Sequence, residues 1–269
     1  MKKHCFVLLY SLLLASLIGC QPRPGAGQEA AEPRLLRVVT SGGFAAAYDR
    51  LAPRFEARHG ITLVTAYGSS SGGAEDSIPV RLERGEQFDL VMMSQSSLNR
   101  LIERGDVRPD SRTDLARSLI GMAVRAGDVV PDISTPELFI QTVIGSESIG
   151  YSASASGTYL STELFPKLGL WEQLEPKSKR ILSERVATVV ARGDVEIGFQ
   201  QVSEILPIEG AIYVGPIPSE YQKATTFAAG VTTRAENDKD AQLLIDYLSS
   251  PEVAAVISGT GLEPVVLER

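Results

Sequence analysis

From Leu35 onward, short apolar runs alternate with stretches in which apolar residues recur every three or four positions. Leu36 to Thr40 reads as a strand, Ala45 to His59 as a helix with Tyr48, Leu51 and Phe55 on one face, and Ile61 to Tyr67 as the next strand. Phe88 to Met93 reads as a buried strand, Ser96 to Arg104 as a helix, and Leu119 to Val124 as another strand. Ser148 to Tyr151, Glu196 to Gln200 and Ala211 to Val214 add three more strands, with helices expected near 135–143, 157–168 and 183–192. Two helical patterns close the chain, Asp240 to Leu248 and Pro251 to Ile257, the second opening on Pro as a first-turn position favours. Such alternation predicts α/β architecture in which mainly parallel sheets are flanked by helices. No internal repeat and no heptad pattern interrupts it.

Ahead of this region the pattern is different. Lys2 and Lys3 precede an apolar run from Phe6 to Ile18, and Leu17-Ile18-Gly19-Cys20 follows. A cationic start, an apolar core of roughly 7–15 residues and a small residue before the cut mark a secretory segment. The box ending in Cys marks a lipoprotein signal. Residues 1–19 are therefore expected to be removed and Cys20 to carry lipid, anchoring the protein to a membrane in the periplasm. Three Pro, two Gly and no large apolar side chain make residues 21–33 a flexible tether behind Cys20. About 236 residues remain, enough for one large domain or two lobes.

Composition removes whole classes of chemistry. Cys5 lies in the signal and Cys20 is expected to be lipidated, so no thiol is left for a disulfide, a metal site or a nucleophile. Besides His4 there is only His59, at the polar end of a helix running into Gly60, so a catalytic triad or a metal centre has little to be built from. No metal and no cofactor is expected. The net charge of −7, which becomes −9 without Lys2 and Lys3, argues against nucleic acid as a partner.

Three loops share one form. Thr40-Ser41-Gly42-Gly43 follows the first strand, Gly68-Ser69-Ser70-Ser71-Gly72-Gly73 the second, and Ser152-Ala153-Ser154-Ala155-Ser156-Gly157-Thr158 a later one. Each sets hydroxyls and unhindered N–H groups at a helix start, where backbone donors lack partners and the helix dipole favours an anion. In open α/β sheets such loops gather at the carboxyl ends of strands. One small anion held jointly by all three is the reading; ordinary caps and turns explain any one of them alone.

These loops, in their order, resemble the periplasmic solute-binding proteins of ABC transporters, in particular the molybdate-binding-protein-like group. The likeness rests on Val38-Val39-Thr40-Ser41-Gly42-Gly43-Phe44, Tyr67-Gly68-Ser69-Ser70-Ser71 and Phe88-Asp89-Leu90-Val91-Met92. It continues through Ser156-Gly157-Thr158-Tyr159, Leu168-Gly169-Leu170-Trp171 and Arg192-Gly193-Asp194-Val195-Glu196-Ile197-Gly198-Phe199. The resemblance implies a two-lobed type II binding-protein fold with the ligand between the lobes: lobe one at residues 34–117 and 227–269, lobe two at 118–226. It also implies a monomer, a small anionic ligand and a permease partner in the inner membrane. By this resemblance Gly43 stands where molybdate binders carry a first-loop Ser, with Ser41 two residues earlier. Ser70 matches the second-loop Ser, Ala155-Ser156-Gly157 matches loosely a Pro-Ala-Gly stretch, and Gln200 or Gln201 replaces a Tyr.

The segments Gln201-Val202-Ser203-Glu204-Ile205-Leu206-Pro207 and Gly215-Pro216-Ile217-Pro218 resemble a subgroup of the same fold that includes bacterial aconitate isomerase. Organic-acid recognition gives Arg185 a role, since guanidinium pairs bidentately with carboxylate; a solvated helix residue is its other reading. Isomerisation moves a proton along an allylic acid and needs one base, for which Glu75, Asp76 and Glu204 all remain open. The ligand-binding set expected is Ser41, Gly42, Gly43, Ser69, Ser70, Ser71, Ser154, Ser156, Gly157, Thr158, Arg185, Gln200 and Gln201. Trp171 reads as lobe-two packing, and Tyr159 and Tyr221 as packing or cleft walls. The first expectation is a binding lipoprotein serving an ABC transporter; the alternative is an aconitate isomerase.

Overall fold

The structure, a computed structural model, describes residues 34–265. The signal segment, Cys20 and the tether expected at residues 1–33 lie outside the described residues. Eleven strands are found among them: β1 (Arg34–Ser41), β2 (Ile61–Gly68), β3 (Leu90–Ser94), β4 (Thr113–Ser118), β5 (Ile120–Arg125), β6 (Ile149–Ser152), β7 (Ser178–Ile181), β8 (Ile197–Gln201), β9 (Ala211–Pro216), β10 (Thr225–Val231) and β11 (Glu263–Pro264). They form a six-stranded sheet in the order β11-β4-β10-β3-β1-β2 and a five-stranded sheet in the order β7-β6-β8-β5-β9. The chain passes from the first sheet to the second at Leu119, between β4 and β5, and returns between β9 and β10.

Each sheet is sandwiched by helices because its strands are apolar on both faces. On β1, Leu36 and Val38 join Phe44, Tyr48, Leu51 and Phe55 of the helix Gly42–His59 in one cluster. Val39 points the other way and packs with Ile78, Val91, Met93, Leu98 and Leu101. This period of two puts successive side chains on opposite faces. Full burial of one such side chain stabilises by about 1.5–3 kcal/mol. In the second sheet Ile120, Met122 and Val124 pack with Phe139, Phe165 and Phe199, while Ala123 faces Val186, Val189 and Val190. Trp171 stacks on Phe165 at 6.5 Å, so it is a packing residue of this second cluster. His59 ends its helix as expected, and Gly60 takes the left-handed φ of 63° that closes it.

The sheets are mixed where mainly parallel ones were expected. β1 runs parallel to β2 and β3, and β6 parallel to β7 and β8. The strands next to the crossings reverse this: β10 is antiparallel to β3 and β4, and β5 to β8 and β9. A strand that enters a sheet from the opposite lobe, rather than through a helical crossover on the same sheet, is free to run against its neighbours. β10, with sequence Thr-Thr-Phe-Ala-Ala-Gly-Val, was not expected from the pattern, nor were β4, β7 and β11.

Candidate functional site

The carboxyl ends of five strands converge between the two sheets: Ser41 ends β1, Gly68 ends β2, Ser94 ends β3, Ser152 ends β6 and Gln201 ends β8. Ser41 is the N-cap residue of the 18-residue helix Gly42–His59, yet its hydroxyl makes no capping bond. Ser70 sits 2% exposed under the same helix start, and its Oγ accepts the backbone N–H of Ser94 at 2.9 Å. From the second sheet Ser154 precedes the helix beginning at Ala155, and Ser152 and Ser156 hydroxyls lie 3.1 Å apart.

Two adjoining cavities lie here. The inner one, about 40 Å³, is lined by Ser41, Gly42, Gly43, Ser69, Ser70, Ser94, Ser154, Ser156, Gln201, Glu204 and Phe227, with Ala155. The outer one, about 210 Å³, has Tyr67, Asp76, Arg185 and Gln200 among its walls and shares Gly42, Ser69, Ser154 and Glu204 with the inner. Ser41 Oγ, Ser94 Oγ and Gln201 Oε1 are buried against the inner cavity without a hydrogen-bond partner among the described residues. More than nine in ten buried polar groups are partnered in folded proteins, so three orphans in one small space mark a site shaped for a polar ligand.

Electrostatically the site combines a cation, a helix start and one unusual acid. Arg185 is the N-cap residue of the helix Val186–Ala191, and its guanidinium makes no hydrogen bond or ion pair within 4.0 Å among the described residues. Glu204 stands on the short helix Val202–Ile205 and lines both cavities. Burial pushes its carboxyl up to about 7, against the opposing pull of Arg185, the Gln200 side chain and the Gln201 backbone. A carboxyl poised near neutrality in a cleft is suited to take and return a proton at physiological pH. Tyr67 donates to Asp49 Oδ1 at 2.6 Å, and burial first and that bond second hold its phenol above the ordinary range.

The expected ligand residues do not all meet. Ser41, Gly42, Gly43, Ser69, Ser70, Ser154, Ser156 and Gln201 line the inner cavity, and Arg185 and Gln200 the outer. Ser71 and Thr158 line a separate cavity of about 370 Å³ beside the crossing segments, with Arg100, Tyr159 and Lys223, which Ser156 also reaches. Gly157 lines none of these; a Cβ on it would stand 1.8 Å from the Ser152 carbonyl oxygen, so its task is to let a helix start close to β6. Of the three open bases, Glu204 and Asp76 line the cleft, and Glu75 is exposed away from it. Ser94 and Phe227 were missed. Ser94 follows the strand read as ending at Met93 and was findable as a strand-end residue, whereas nothing near Phe227 announced a strand.

Comparison with known proteins adds three findings. The family model described as bacterial extracellular solute-binding protein matches residues 36–263. An aconitate isomerase of Pseudomonas sp. is 41% identical over 259 residues, 96% of this chain and 95% of that one, and the molybdate-binding protein ModA of Escherichia coli K12 is 23% identical, over 88% and 91%. Among solved structures, the periplasmic molybdate-binding protein of Azotobacter vinelandii aligns with a TM-score of 0.68 at 22% identity, covering 87% of this chain and all of that one. The sulfate-binding protein SubI of Mycobacterium tuberculosis H37Rv aligns at 0.65 and 18%, covering 86% and 87%. At such identities these two share the fold with this chain.

Proposed function

Because the chain belongs to the bacterial extracellular solute-binding protein family, we propose that it uses that fold as an enzyme, an aconitate isomerase, with Glu204 as its base. The observation that carries this is Glu204: a receptor needs matched donors alone, and nothing in binding an anion calls for an acid held near neutrality in the cleft. The 41% identity to a protein of that name supports the same reading over nearly the full chain.

In this mechanism one substrate carboxylate enters the inner cavity, where the unpartnered Ser41 and Ser94 hydroxyls receive it. A second pairs with Arg185 in the outer cavity. Glu204 removes a proton from the methylene carbon, the double bond moves by one carbon, and the proton returns to the formerly vinylic carbon. The charge that develops on the enolised carboxylate is met by donors already in place, which is where preorganised polar groups lower a barrier most. Closing the two lobes over the acid keeps water from the carbanion-like intermediate. Cys20 as a lipid anchor and residues 21–33 as its tether would hold the enzyme at the periplasmic face of a membrane.

The test is a ligand panel on the full chain: thermal shift with molybdate, sulfate, cis-aconitate and trans-aconitate, followed by proton NMR of the aconitate samples. Response to both aconitates with interconversion is expected. Response to molybdate alone, or tight aconitate binding with no conversion, would return the protein to the role of a receptor for an ABC permease.

A further inference from the structure

Gly42 is the first residue of an 18-residue helix and has no positive φ, so its backbone does not require glycine. Alanine is the better helix former there. What a side chain there would meet is Glu204: a Cβ on Gly42 would overlap Glu204 Oε1 and stand 3.2 Å from its Cδ, so the carboxylate would have to move aside. The two residues belong to different lobes, 162 positions apart. The neighbours strengthen this seat. Ser203 Oγ donates to the Gly43 carbonyl at 2.7 Å, and a Cβ on Gly43 would strike the Phe227 ring at 2.0 Å. Gly261 approaches the two ends of the same short helix, where a Cβ would meet Leu206 Cδ1 at 2.7 Å and Val202 Cγ1 at 2.9 Å.

We propose that Gly42 is a positioning residue for the reaction, its missing side chain being what admits the Glu204 carboxylate to the helix start when the lobes close. This rests on the assignment of Glu204 as base and adds that the base is assembled by closure. With the lobes apart, Glu204 faces water; with them together, it is walled by Gly42, Ser41 and the cleft. The charged and titratable groups that share its cavity are Arg185, Glu184, Asp76 and Tyr67, of which Arg185 opposes the effect of burial.

The experiment compares the full chain with Gly42→Ala, Glu204→Asp and the pair of substitutions together. Displacing a reacting group by about 1 Å costs on the order of 100-fold in rate. Gly42→Ala is expected to lower kcat for aconitate by about that factor, a larger loss than it causes in the binding of tricarballylate, a saturated and unreactive tricarboxylate. Glu204→Asp withdraws the carboxylate by one methylene, so added to Gly42→Ala it should recover part of the lost kcat. A merely structural role for Gly42 would give additive losses. Independently of turnover, carbon NMR of carboxyl-labelled glutamate, with the Glu204 signal identified by its loss in Glu204→Gln, should titrate near 7 in the parent and closer to ordinary glutamate in Gly42→Ala. An unchanged titration, or a Gly42→Ala protein with parental kcat, would overturn the proposal. A parent that seats Glu204 in this way but converts no aconitate would instead overturn the isomerase reading alone.

Discussion

Arg185 and Glu204 line one cavity from two helix starts of the second sheet, yet no ion pair within 4.0 Å joins them. A direct pair would have pulled the carboxyl down and occupied the guanidinium. Held apart, burial dominates Glu204, and the five donors of Arg185 stay unpaired among the described residues, as the proposed carboxylate contact requires. Arg185→Met is therefore expected to raise KM for either aconitate by about 10- to 100-fold, the worth of a charge-assisted hydrogen bond pair. The same change removes the cation that lowers Glu204, so the acid limb of the kcat profile, expected near pH 7 in the parent, should move upward. Steady-state kinetics between pH 5.5 and 9 reads both effects.

Glu204→Gln should abolish conversion by a factor of about 100 to 10,000, the range for loss of a general base, while tricarballylate still binds. Its stability effect has a definite sign. The folded carboxyl sits at about 7 against an ordinary 4.5, so the folded state holds the proton more tightly than the unfolded chain. The associated stability is present below the ordinary value and is lost as pH rises through about 7. Glu204→Gln should thus be more stable than the parent by about 3 kcal/mol at pH 8 and equal to it near pH 4. Chemical denaturation at the two pH values measures the difference.

The orphaned and the satisfied serines of the inner cavity should separate cleanly. Ser41 Oγ makes no hydrogen bond among the described residues, so Ser41→Ala should change stability by less than about 0.5 kcal/mol while weakening tricarballylate about 3- to 10-fold. Ser70 Oγ accepts the buried N–H of Ser94, so Ser70→Ala strands that donor and should cost about 1–3 kcal/mol. Calorimetry of binding and of unfolding on the two variants distinguishes them.

Asp89 lies outside the cleft and holds the first lobe together. Its carboxylate accepts the backbone N–H groups of Arg37 at 2.8 Å, Glu236 at 2.8 Å and Asn237 at 3.1 Å, tying β1 to the approach of the last long helix, Asp238–Leu248. Asp89→Ala leaves those donors without a partner and should cost about 3 kcal/mol or more, a fall in Tm of roughly 6–12 °C. Scanning calorimetry checks it.

The opening βαβ unit was legible because Tyr48, Leu51 and Phe55 repeat at helical spacing between two β-rich runs, and all three are buried. The cleft serines at 41, 70 and 156 were legible because hydroxyls and glycines clustered at strand ends. β10 was not legible: Ala228, Ala229 and Gly230 carry little strand preference, and they form one because β3 and β4 pair with it from either side. Gly230 itself lies under Val107 and Leu98, where a Cβ would come within 2.6 Å of Val107. The choice among Glu75, Asp76 and Glu204 was also beyond the sequence, because what sets Glu204 apart is burial in the cleft, which folding creates from segments far apart along the chain.

The decisive measurement is proton NMR of cis-aconitate incubated with the parent protein and with Glu204→Gln at pH 8. Trans-aconitate is expected to accumulate with the parent until the two isomers reach equilibrium, and to stay absent with the variant over the same time. Cis-aconitate that binds the parent, as its thermal shift would register, and returns unchanged would contradict the assignment of Glu204 as a base and of the cleft as an active site.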